Sequence, residues 1–545
     1  KIWFAPNDGS LNKLVETSTS SPEDYKFARF LSDPGNGTYI KNSSFDFIVT
    51  DSLNRDVFWL VDYYKGLMWF DIKTGKFSND HPHFKFPVEI PKSQIESILI
   101  TGDGNCWFGT YGNGIYTYKP GNTNNISNSI EHFKIDPANP YGIESPNITN
   151  LYEDNSGLVW IGTNVNGLYT YQKRTQGFIN YYHNNFDTNS LTGDNVLSVL
   201  EDKEGNVWIG TELGLDKYDP LKKKYTHFKS NPRVNGTISS NVVYSLLQDD
   251  DGNIWVGTAK GLDRYNPSTN LFTNFLHNPK DTSSLSNGEI IKLFQDSKGS
   301  IWIGTWNGGL NKLIFSTDGK VEKFLHYISD DNDSFSISNN NIMSIAESKN
   351  GILWVGTSDG GLNKLISDFK FGKNGNVVSP KFKSYRHSFN DPNSLSNNDV
   401  RTIYIDDKGT LWFGTYVGGL NKFIPPDKDE TAKFIHYRQA QGLANDVVRG
   451  ILSDDEGNLW ISTAYGLSKF NPVKNSFLNF YVADGLQTVK FEDVSYRNMN
   501  TGKLYFGGVG GVISFKPTNI RMNTNKPEIV ITSFKSYNVN AGKMT

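Results

Sequence analysis

Short apolar runs of strand length, each followed by a turn and then by an aromatic run, recur along this chain. One example starts with the apolar segment 196–200, whose length and β-branched content suit an inner strand of a sheet. A glycine turn, the string VWIGT and the string GLDKY come next, and an alternating aromatic and basic segment, 224–229, completes the unit. Period-two alternation is typical of a half-exposed strand. Each unit therefore predicts four strands.

The unit recurs about every 45 to 58 residues, and its best-preserved stretch is centred on a tryptophan. That stretch reads Asp-x-x-Gly-x-(Leu/Ile/Val)-Trp-(Ile/Val/Phe)-Gly-Thr. The eleven central positions are Trp107, Trp160, Trp208, Trp255, Trp302, Trp354, Trp412 and Trp460, with weaker members at Trp3, Trp59 and Tyr505. One small sheet cannot bury both faces alone, so the units are expected to stack around an axis as propeller blades. The predicted fold class is all-β, with tandem β-propellers of four-stranded blades.

The turn before each tryptophan has its own signature. A glycine three residues before the tryptophan occupies a position where a hairpin commonly requires positive φ. The aspartate three residues earlier, as in Asp202, is expected to cap the turn with its side chain. Thr101 and Ser348 replace this aspartate in two units.

Composition and charge remove several classes of function. Aromatic residues make up 14% of the chain and glycines number 51, which fits many short strands joined by tight turns. A formal net charge of -3 gives no basic footprint for nucleic acid or anionic lipid. The single cysteine, Cys106, excludes an intramolecular disulfide and a multi-cysteine metal site. No apolar run approaches the roughly 18 residues that span a bilayer.

Three strings carry a resemblance to a known family: VWIGTELGLDKYDP at 207–220, IWIGTWNGGLNKL at 301–313 and LWFGTYVGGLNKF at 411–423. They resemble the two-component regulator propeller repeat, as do the strings between blades that begin at His183 and His387. The segment 527–534 resembles the entry to that family's three-tyrosine immunoglobulin-like domain, of which only the first strand is present.

The resemblance implies the extracellular or periplasmic part of a bacterial hybrid two-component sensor. In that family two seven-bladed propellers and a small sandwich precede a membrane helix and a histidine kinase, which are expected outside this chain. The implied ligand is a glycan or oligosaccharide, and a homodimer is expected because kinase receptors usually signal as dimers. The fragment itself is not expected to be an enzyme.

Seven blades counted back from Tyr505 reach Trp208 and leave four units at the N-terminal side. We therefore predict an incomplete ring of blades over 1–175 and a seven-bladed propeller over 176–522. The remaining segment, 523–545, is predicted to start the β-sandwich.

Repeated polar residues favour a structural role over a catalytic one. Seven histidines occupy what looks like one place near the end of the outer strand: His132, His183, His227, His277, His326, His387 and His436. His81 and His83 lie in the corresponding region of a divergent unit. The paired acids at 153–154, 201–202, 249–250 and 454–455 precede turn glycines and are interpreted as turn caps, although bound structural calcium stays open. Cys106 lies beside Trp107 in a core strand, and no serine elbow or phosphate loop is found.

Residues that vary between repeats are the better candidates for a ligand site, because a fixed scaffold with changing loop residues is how a propeller builds a binding surface. The loop after Gly-Thr is expected to share the central mouth with residues that start the inner strands. The candidate ligand-binding residues are Trp306, Tyr416, Tyr465, Arg401, Arg449, Asp359, Glu212 and Lys260. Aromatic faces with nearby charges suit sugar rings and their acidic substituents. Exposed Tyr and Trp also mark protein interfaces or simply pack loops, and Tyr111 belongs to the other ring.

Two rival functions remain at this point. One is a secreted propeller enzyme resembling streptogramin-cleaving lyases, for which the chain lacks a histidine outside the repeat register. The other is a cell-surface scaffold that binds proteins.

Overall fold

The structure is a computed structural model. It describes residues 2–6, 10–15, 26–31, 45–50, 56–62, 66–79, 86–87, 89–119, 130–134, 142–155, 157–172, 177–316, 319–371, 377–426, 431–520, 537–538 and 543–544. His81, His83 and most of the predicted sandwich segment lie outside these residues. The chain divides by its contacts into one unit of 1–173 with 523–545 and a second unit of 174–522.

The first unit contains four blade-like sheets within its described residues. Its strands are β1 (Trp3–Phe4), β2 (Leu11–Val15), β3 (Lys26–Phe30), β4 (Phe45–Thr50), β5 (Val57–Asp62), β6 (Gly66–Asp71), β7 (Lys76–Ser78), β8 (Ile95–Ile100), β9 (Cys106–Thr110), β10 (Ile115–Tyr118), β11 (Ile130–Phe133), β12 (Ile148–Glu153), β13 (Leu158–Thr163) and β14 (Leu168–Gln172). The sheet orders are β1-β2-β3, β4-β5-β6-β7, β8-β9-β10-β11 and β12-β13-β14. Each strand pairs with its sequence neighbour in antiparallel fashion.

The second unit contains seven four-stranded blades among its described residues, numbered here in chain order. The strands that precede and form blades 1 to 3 are β15 (Ile179–Tyr181), β16 (Val196–Glu201), β17 (Val207–Thr211), β18 (Leu215–Asp219), β19 (Lys224–Phe228), β20 (Val243–Gln248), β21 (Ile254–Thr258), β22 (Gly261–Asn266), β23 (Leu271–Leu276), β24 (Ile290–Gln295), β25 (Ile301–Thr305), β26 (Leu310–Phe315) and β27 (Val321–Tyr327). Blade 1 comprises β16–β19, blade 2 β20–β23 and blade 3 β24–β27.

Blades 4 to 7 follow the same plan. Their strands are β28 (Ile342–Glu347), β29 (Leu353–Thr357), β30 (Gly361–Ser367), β31 (Lys370–Phe371), β32 (Val377–Val378), β33 (Lys381–Tyr385), β34 (Val400–Ile405), β35 (Leu411–Thr415), β36 (Leu420–Ile424), β37 (Lys433–Tyr437), β38 (Val448–Ser453), β39 (Leu459–Thr463), β40 (Leu467–Asn471), β41 (Ser476–Phe480), β42 (Phe491–Arg497), β43 (Leu504–Gly508) and β44 (Gly511–Phe515). Blade 4 is β28-β29-β30-β33, with β31 and β32 as a small inserted hairpin. Blades 5 and 6 are β34–β37 and β38–β41, and blade 7 is β15-β44-β43-β42.

The remaining regular elements are short. Strands β45 (Tyr537–Asn538) and β46 (Lys543–Met544) pair with each other. The 3-10 helices are Lys92–Gln94, Gln439–Gln441, Val482–Asp484 and Pro517–Asn519. Across the described ranges, no helix is long and apolar enough to cross a membrane. The all-β tandem propeller predicted from the sequence is confirmed.

The hydrophobic core lies between neighbouring blades rather than inside one sheet. Trp255 of blade 2 packs with Ile290 and Ile301 of blade 3, and the same pattern recurs around the ring. In blades 1 to 6 a lysine or arginine on the third strand lies over the ring of the blade tryptophan, as Lys312 does at 4.9 Å from the Trp302 ring. The tryptophan thus joins two blades while its own sheet supplies a cation–π contact.

The turn aspartate has a second task that the sequence did not reveal. In blade 1, Oδ1 of Asp202 accepts the backbone N–H of Asn206 at 2.7 Å, which confirms the predicted cap. Its Oδ2 accepts the indole N–H of Trp208 at 2.8 Å. The equivalent indole bonds are those of Asp154, Asp249, Asp296, Asp406 and Asp454. The expected positive φ of the turn glycine is also found, as at Gly205, where φ is 84°.

The exception in blade 4 leads to a stability prediction. Ser348 replaces the aspartate, and the indole nitrogen of Trp354 is then buried without a hydrogen-bond partner among the described residues. Because an unsatisfied buried donor costs about 1–3 kcal/mol, Ser348→Asp is expected to raise the free energy of unfolding by about 1 kcal/mol. The converse change in blade 3, Asp296→Ser, should lower it by a similar amount. Urea unfolding measures the free energy of unfolding of both variants. If both changed it in the same direction, the missing indole hydrogen bond would not explain the difference between the two blades.

The glycine of Gly-Thr is needed because the next blade approaches closely. A Cβ added to Gly304 of blade 3 would lie 2.7 Å from Cγ2 of Ile342 in blade 4. That distance is shorter than a carbon–carbon contact allows. This position therefore fixes how tightly successive inner strands stack around the axis.

The ring is closed by a strand from the other end of the unit. Strand β15 precedes blade 1 in the chain, inside the segment 176–522 that the sequence predicted to form the seven-bladed propeller. It pairs with β44, with Asn180 opposite Ile513, and supplies the outer strand of blade 7. The inner strands of blades 7 and 1 also touch. Pairing the first strand of the unit with its last blade joins the two ends of the ring through backbone hydrogen bonds.

Candidate functional site

The mouth of the 174–522 propeller is lined by the residues that follow the second strand of each blade. In every blade the N–H of this residue donates to the carbonyl just before the inner strand, at 3.0–3.3 Å. We call these seven residues the rim: Glu212, Ala259, Trp306, Ser358, Tyr416, Ala464 and Val509. The shared bond places all of them at the same level, so the rim offers one scaffold with seven different side chains.

A β-bulge brings a second ring of side chains close to the rim. Each inner strand skips one residue in its pairing with the second strand, and a bulge re-aims the extra side chain. The bulge residues of blades 1 to 6 are Leu197, Tyr244, Ile291, Met343, Arg401 and Arg449. Blade 7 has a longer bulge that contains Glu492 and Asp493. One half of this ring is therefore largely apolar and the other half is charged.

The charged half forms one connected group, the mouth cluster, made of Asp399, Arg401, Arg449, Glu492 and Asp493. Asp493 accepts from Arg401 at 3.3 Å and from Arg449 at 3.2 Å. Arg401 also pairs with Asp399 at 2.7 Å, and Arg449 with Glu492 at 3.5 Å. Because the five side chains are only 16–33% exposed, these ion pairs are screened less than surface pairs.

Burial changes the proton affinity of the mouth cluster. Burial raises the pKa of Asp399 above its ordinary value, against the opposing effect of Arg401. Burial likewise raises the pKa of Glu492, and nearby Asp493 and Glu212 add to the rise while Arg449 and Arg401 oppose it. For Arg401, burial works against the charge, but Asp493 and Asp399 more than offset it and the pKa rises. Arg401 therefore stays charged.

Tyr416 lies over the mouth cluster. Its ring centre is 5.0 Å from the guanidinium carbon of Arg401 and 5.8 Å from that of Arg449. The side chain remains 43% exposed. In the described part of the chain, Asp399 Oδ1 and the Nε atoms of Arg401 and Arg449 are buried without a hydrogen-bond partner. The mouth thus combines an open aromatic surface with polar groups whose bonding is incomplete.

The structure brings together three of the eight predicted site residues, Arg401, Arg449 and Tyr416. Trp306 and Glu212 share the rim position with Tyr416 but belong to other blades. The other three candidates, Lys260, Asp359 and Tyr465, lie one residue further along the loop than the rim position. The sequence analysis had therefore treated two neighbouring loop positions as one.

These remaining candidates have contacts of their own. Glu212 accepts a hydrogen bond from the side chain of Asn195. The Tyr465 ring lies 5.9 Å from that of Tyr481 and is 55% exposed. Asp359 is exposed and has a φ of 69°, so its backbone is left-handed. Their part in ligand binding stays a prediction.

Sequence reasoning missed Asp493, the residue that links the two arginines. Blade 7 has Tyr505 in place of tryptophan, and its bulge is longer than the others. An acidic pair, 492–493, at the point where two preceding repeats carry arginine was the available signal. This signal was not recognised because blade 7 departs from the repeat pattern at its central aromatic residue and in the length of its bulge.

The histidines do not all occupy one position, as the sequence suggested. Four lie within outer strands, namely His132, His227, His326 and His436. Three lie just beyond the end of an outer strand, namely His183, His277 and His387. Both kinds bind loops: His326 Nε2 is 2.7 Å from Ser284 O, and His277 Nδ1 is 2.6 Å from Leu285 O. A ring nitrogen beside a carbonyl must donate, which fits a scaffold role.

The aspartates of the turns already have hydrogen-bond partners, as the histidines do. Both oxygens of an aspartate such as Asp202 accept N–H donors, and Cys106 is buried in β9. No group of three or more His, Cys, Asp or Glu side chains in the described ranges could hold a metal ion.

A family model described as two component regulator propeller matches seven segments of the chain. They are 142–165, 190–212, 237–260, 284–307, 336–359, 394–417 and 442–465. The chain carries two-component regulator propeller repeats. Each matched segment contains a loop between blades, an inner strand and the tryptophan strand. The six matched segments within 174–522 therefore supply the rim and bulge residues of blades 1 to 6.

Individual proteins with similar sequences or structures agree with this result. Histidine kinase P4 of Formosa agariphila is 27% identical over 234 residues, which cover 34% of this chain and 16% of that protein. A solved structure described as the extracellular domain of hybrid two component system BT3049 from B. thetaiotaomicron has a TM-score of 0.58 and 22% identity, covering 94% of this chain and 73% of that one. The corresponding domain of BT4673 has a TM-score of 0.48 and 20% identity, covering 94% and 62%. At its identity of 22%, the BT3049 structure supports the propeller fold alone.

Proposed function

We propose that this chain is the extracellular sensor region of a bacterial two-component system and that it binds a glycan at the mouth of the 174–522 propeller. The regulator propeller repeats and the histidine kinase relative support the sensor assignment. In this proposal the chain binds a ligand without chemical change. Binding shifts an equilibrium between two states that a kinase outside the chain reads, in a homodimer.

The observation that carries the proposal is the half-exposed ring of Tyr416 over two guanidinium groups. The apolar faces of a sugar ring pack on aromatic side chains, and its hydroxyls or acidic substituents bind charged groups. The arginines are already held in position by Asp493 and Asp399. Such pre-organisation lowers the entropic cost of binding.

Melting of the full chain in the presence of neutral and acidic oligosaccharides tests the proposal. A ligand that binds only the folded state raises the melting temperature in a saturable way. Tyr416→Ala should weaken this binding about tenfold, since an aromatic or cation–π contact is worth about 1–2 kcal/mol. Trp306→Ala should weaken it if the ligand reaches across the rim.

Leu221→Ala is the matched control, because Leu221 is an apolar side chain that is 93% exposed in the outer hairpin of blade 1. It should bind like the unmodified chain. Failure of every glycan to raise the melting temperature, or full binding by Tyr416→Ala, would contradict a glycan site at this mouth. Full binding by Tyr416→Ala would favour a glycan site elsewhere on the chain. The absence of any rise in melting temperature would favour a protein-binding scaffold.

A further inference from the structure

The axis of the 174–522 propeller contains a cavity of about 410 Å³. It lies against the inner strands of blades 1, 2, 3 and 7. At one end it reaches the bulge residues Leu197 and Tyr244, and at the other end it reaches 201–203 beside the turns. A cavity of this volume lies in the range of small-molecule sites and suits a molecule of monosaccharide size.

One inner-strand position in this cavity is unlike its equivalents. The residues at this position pair with the glycine of Gly-Thr in blades 1 to 5, with Ser462 at that place in blade 6 and with Gly507 in blade 7. In blade order they are Ser198, Ser245, Lys292, Ser344, Thr402, Gly450 and Val494. The serines link neighbouring blades: Ser198 donates to Val243 O at 3.1 Å, and Ser245 accepts the N–H of Leu293 at 3.0 Å. Lys292 is the one charged member of this set, and it lines the cavity.

The other charged groups that line the cavity have partners. Glu201 accepts the hydroxyl of Tyr505, and Asp202 caps its turn. Lys203 donates to the carbonyls of Asp249 and Asp250. Both carboxylate oxygens of Asp493 bind arginines of the mouth cluster.

Lys292 differs from all of these. Its ammonium makes no hydrogen bond or ion pair in the described part of the chain. Burial lowers the pKa of Lys292, and Asp493, the carboxylate that acts on it, works in the opposite direction. Lys292 is partly buried in the wall of the cavity. A partly desolvated cation without a direct partner is unfavourable, and a bound anion would offset that cost.

We propose that Lys292 anchors a second ligand site in this axial cavity, which takes a small molecule bearing a carboxylate or sulfate group. The oxyanion binds the Lys292 ammonium. The body of the ligand lies against Leu197 and Tyr244, with Ser495 as a polar neighbour on blade 7. The site is separate from the rim and does not depend on the proposed glycan site there.

Calorimetric titration of the full chain tests this site with three probes at constant ionic strength: glucuronate, glucose as its uncharged analogue, and sulfate. Glucuronate is expected to bind saturably and glucose not to bind. Binding of sulfate as well would show that the site takes oxyanions in general, and failure of sulfate alone would restrict it to organic acids. Lys292→Met should weaken glucuronate binding at least tenfold, whereas Lys292→Arg should retain most of it.

Two controls separate this site from the mouth. Lys222→Met removes an exposed lysine in the outer hairpin of blade 1, and Tyr416→Ala removes the mouth aromatic. Both variants should keep glucuronate binding. Equal binding of glucose, or unchanged glucuronate binding by Lys292→Met, would overturn the inference.

A measurement on the unmodified chain covers the case in which Lys292→Met does not fold. Glucuronate is expected to slow the reaction of the Lys292 amine with an acylating reagent, as followed by mass spectrometry, while Lys222 reacts at an unchanged rate. Equal rates at Lys292 with and without glucuronate would also overturn the proposal.

Discussion

Tyr181→Ala is expected to lower the free energy of unfolding of the 174–522 propeller by about 3–5 kcal/mol, the usual cost of removing a large buried aromatic side chain. Tyr181 lies on the closing strand β15 and is 7% exposed. It packs with Val512 and Tyr505 of blade 7, and its ring is 5.5 Å from that of Tyr218 in blade 1. Loss of the Tyr181 ring therefore weakens the packing of β15 within blade 7 and its contact with blade 1.

Tyr182→Ala is the matched control for the closing strand. Tyr182 follows directly after β15 and is 39% exposed, so its replacement should change stability by less than about 0.5 kcal/mol. Urea unfolding followed by tryptophan fluorescence compares the two variants through the midpoint and its slope. If both variants lost the same free energy of unfolding, closure of the ring between blades 7 and 1 would not depend on packing by β15.

Asp493→Ala is expected to lower the free energy of unfolding by about 2 kcal/mol. Removing one partner of a fully buried ion pair costs about 3–5 kcal/mol, and this figure must be reduced because Asp493 is 26% exposed. The change leaves Arg401 with Asp399 and Arg449 with the more distant Glu492. It should also loosen the support under Tyr416 and so weaken glycan binding at the mouth.

Asp455→Ala provides the comparison for Asp493→Ala. Asp455 also pairs with an arginine, Arg497, at 2.5 Å, but it is 75% exposed. A pair of this kind contributes at most about 1 kcal/mol, and the change should leave the mouth intact. If urea unfolding gave the same loss for both variants, the mouth cluster would not be the stabilising unit inferred here.

Several features of the blades follow from local sequence. The spacing of aspartate, glycine and tryptophan predicts the turn correctly, because a positive φ and a side-chain cap depend on residues within one hairpin. The second bond of the aspartate, from Asp202 to the indole of Trp208, was not predicted. It depends on the twist of two paired strands, which brings residues six positions apart into contact.

The mouth likewise combines residues that the sequence placed correctly with contacts that only the tertiary structure shows. Repeat position was enough to place Arg401, Arg449 and Tyr416 near one opening. The acids that hold the arginines come from the start of blade 5, where Asp399 precedes the inner strand, and from blade 7. Asp493 lies 92 residues beyond Arg401 in the chain. No local pattern relates such residues, since only the arrangement of the inner strands around one axis brings Asp493 of blade 7 within reach of Arg401 in blade 5.

The sequence alone determined the blade as the unit of structure, the number of blade-like repeats and the residues that vary among them, because these depend on short-range alternation and turn chemistry. The tertiary structure decided which segment closes the ring, which rim residues meet and which charge is left without a partner in the axial cavity. Strand β15 belongs to blade 7 because ring closure pairs the two ends of the unit. Lys292 looks like an ordinary inner-strand residue in the sequence. Only when seven inner strands surround one axis does it line the axial cavity, with no direct partner in the described chain.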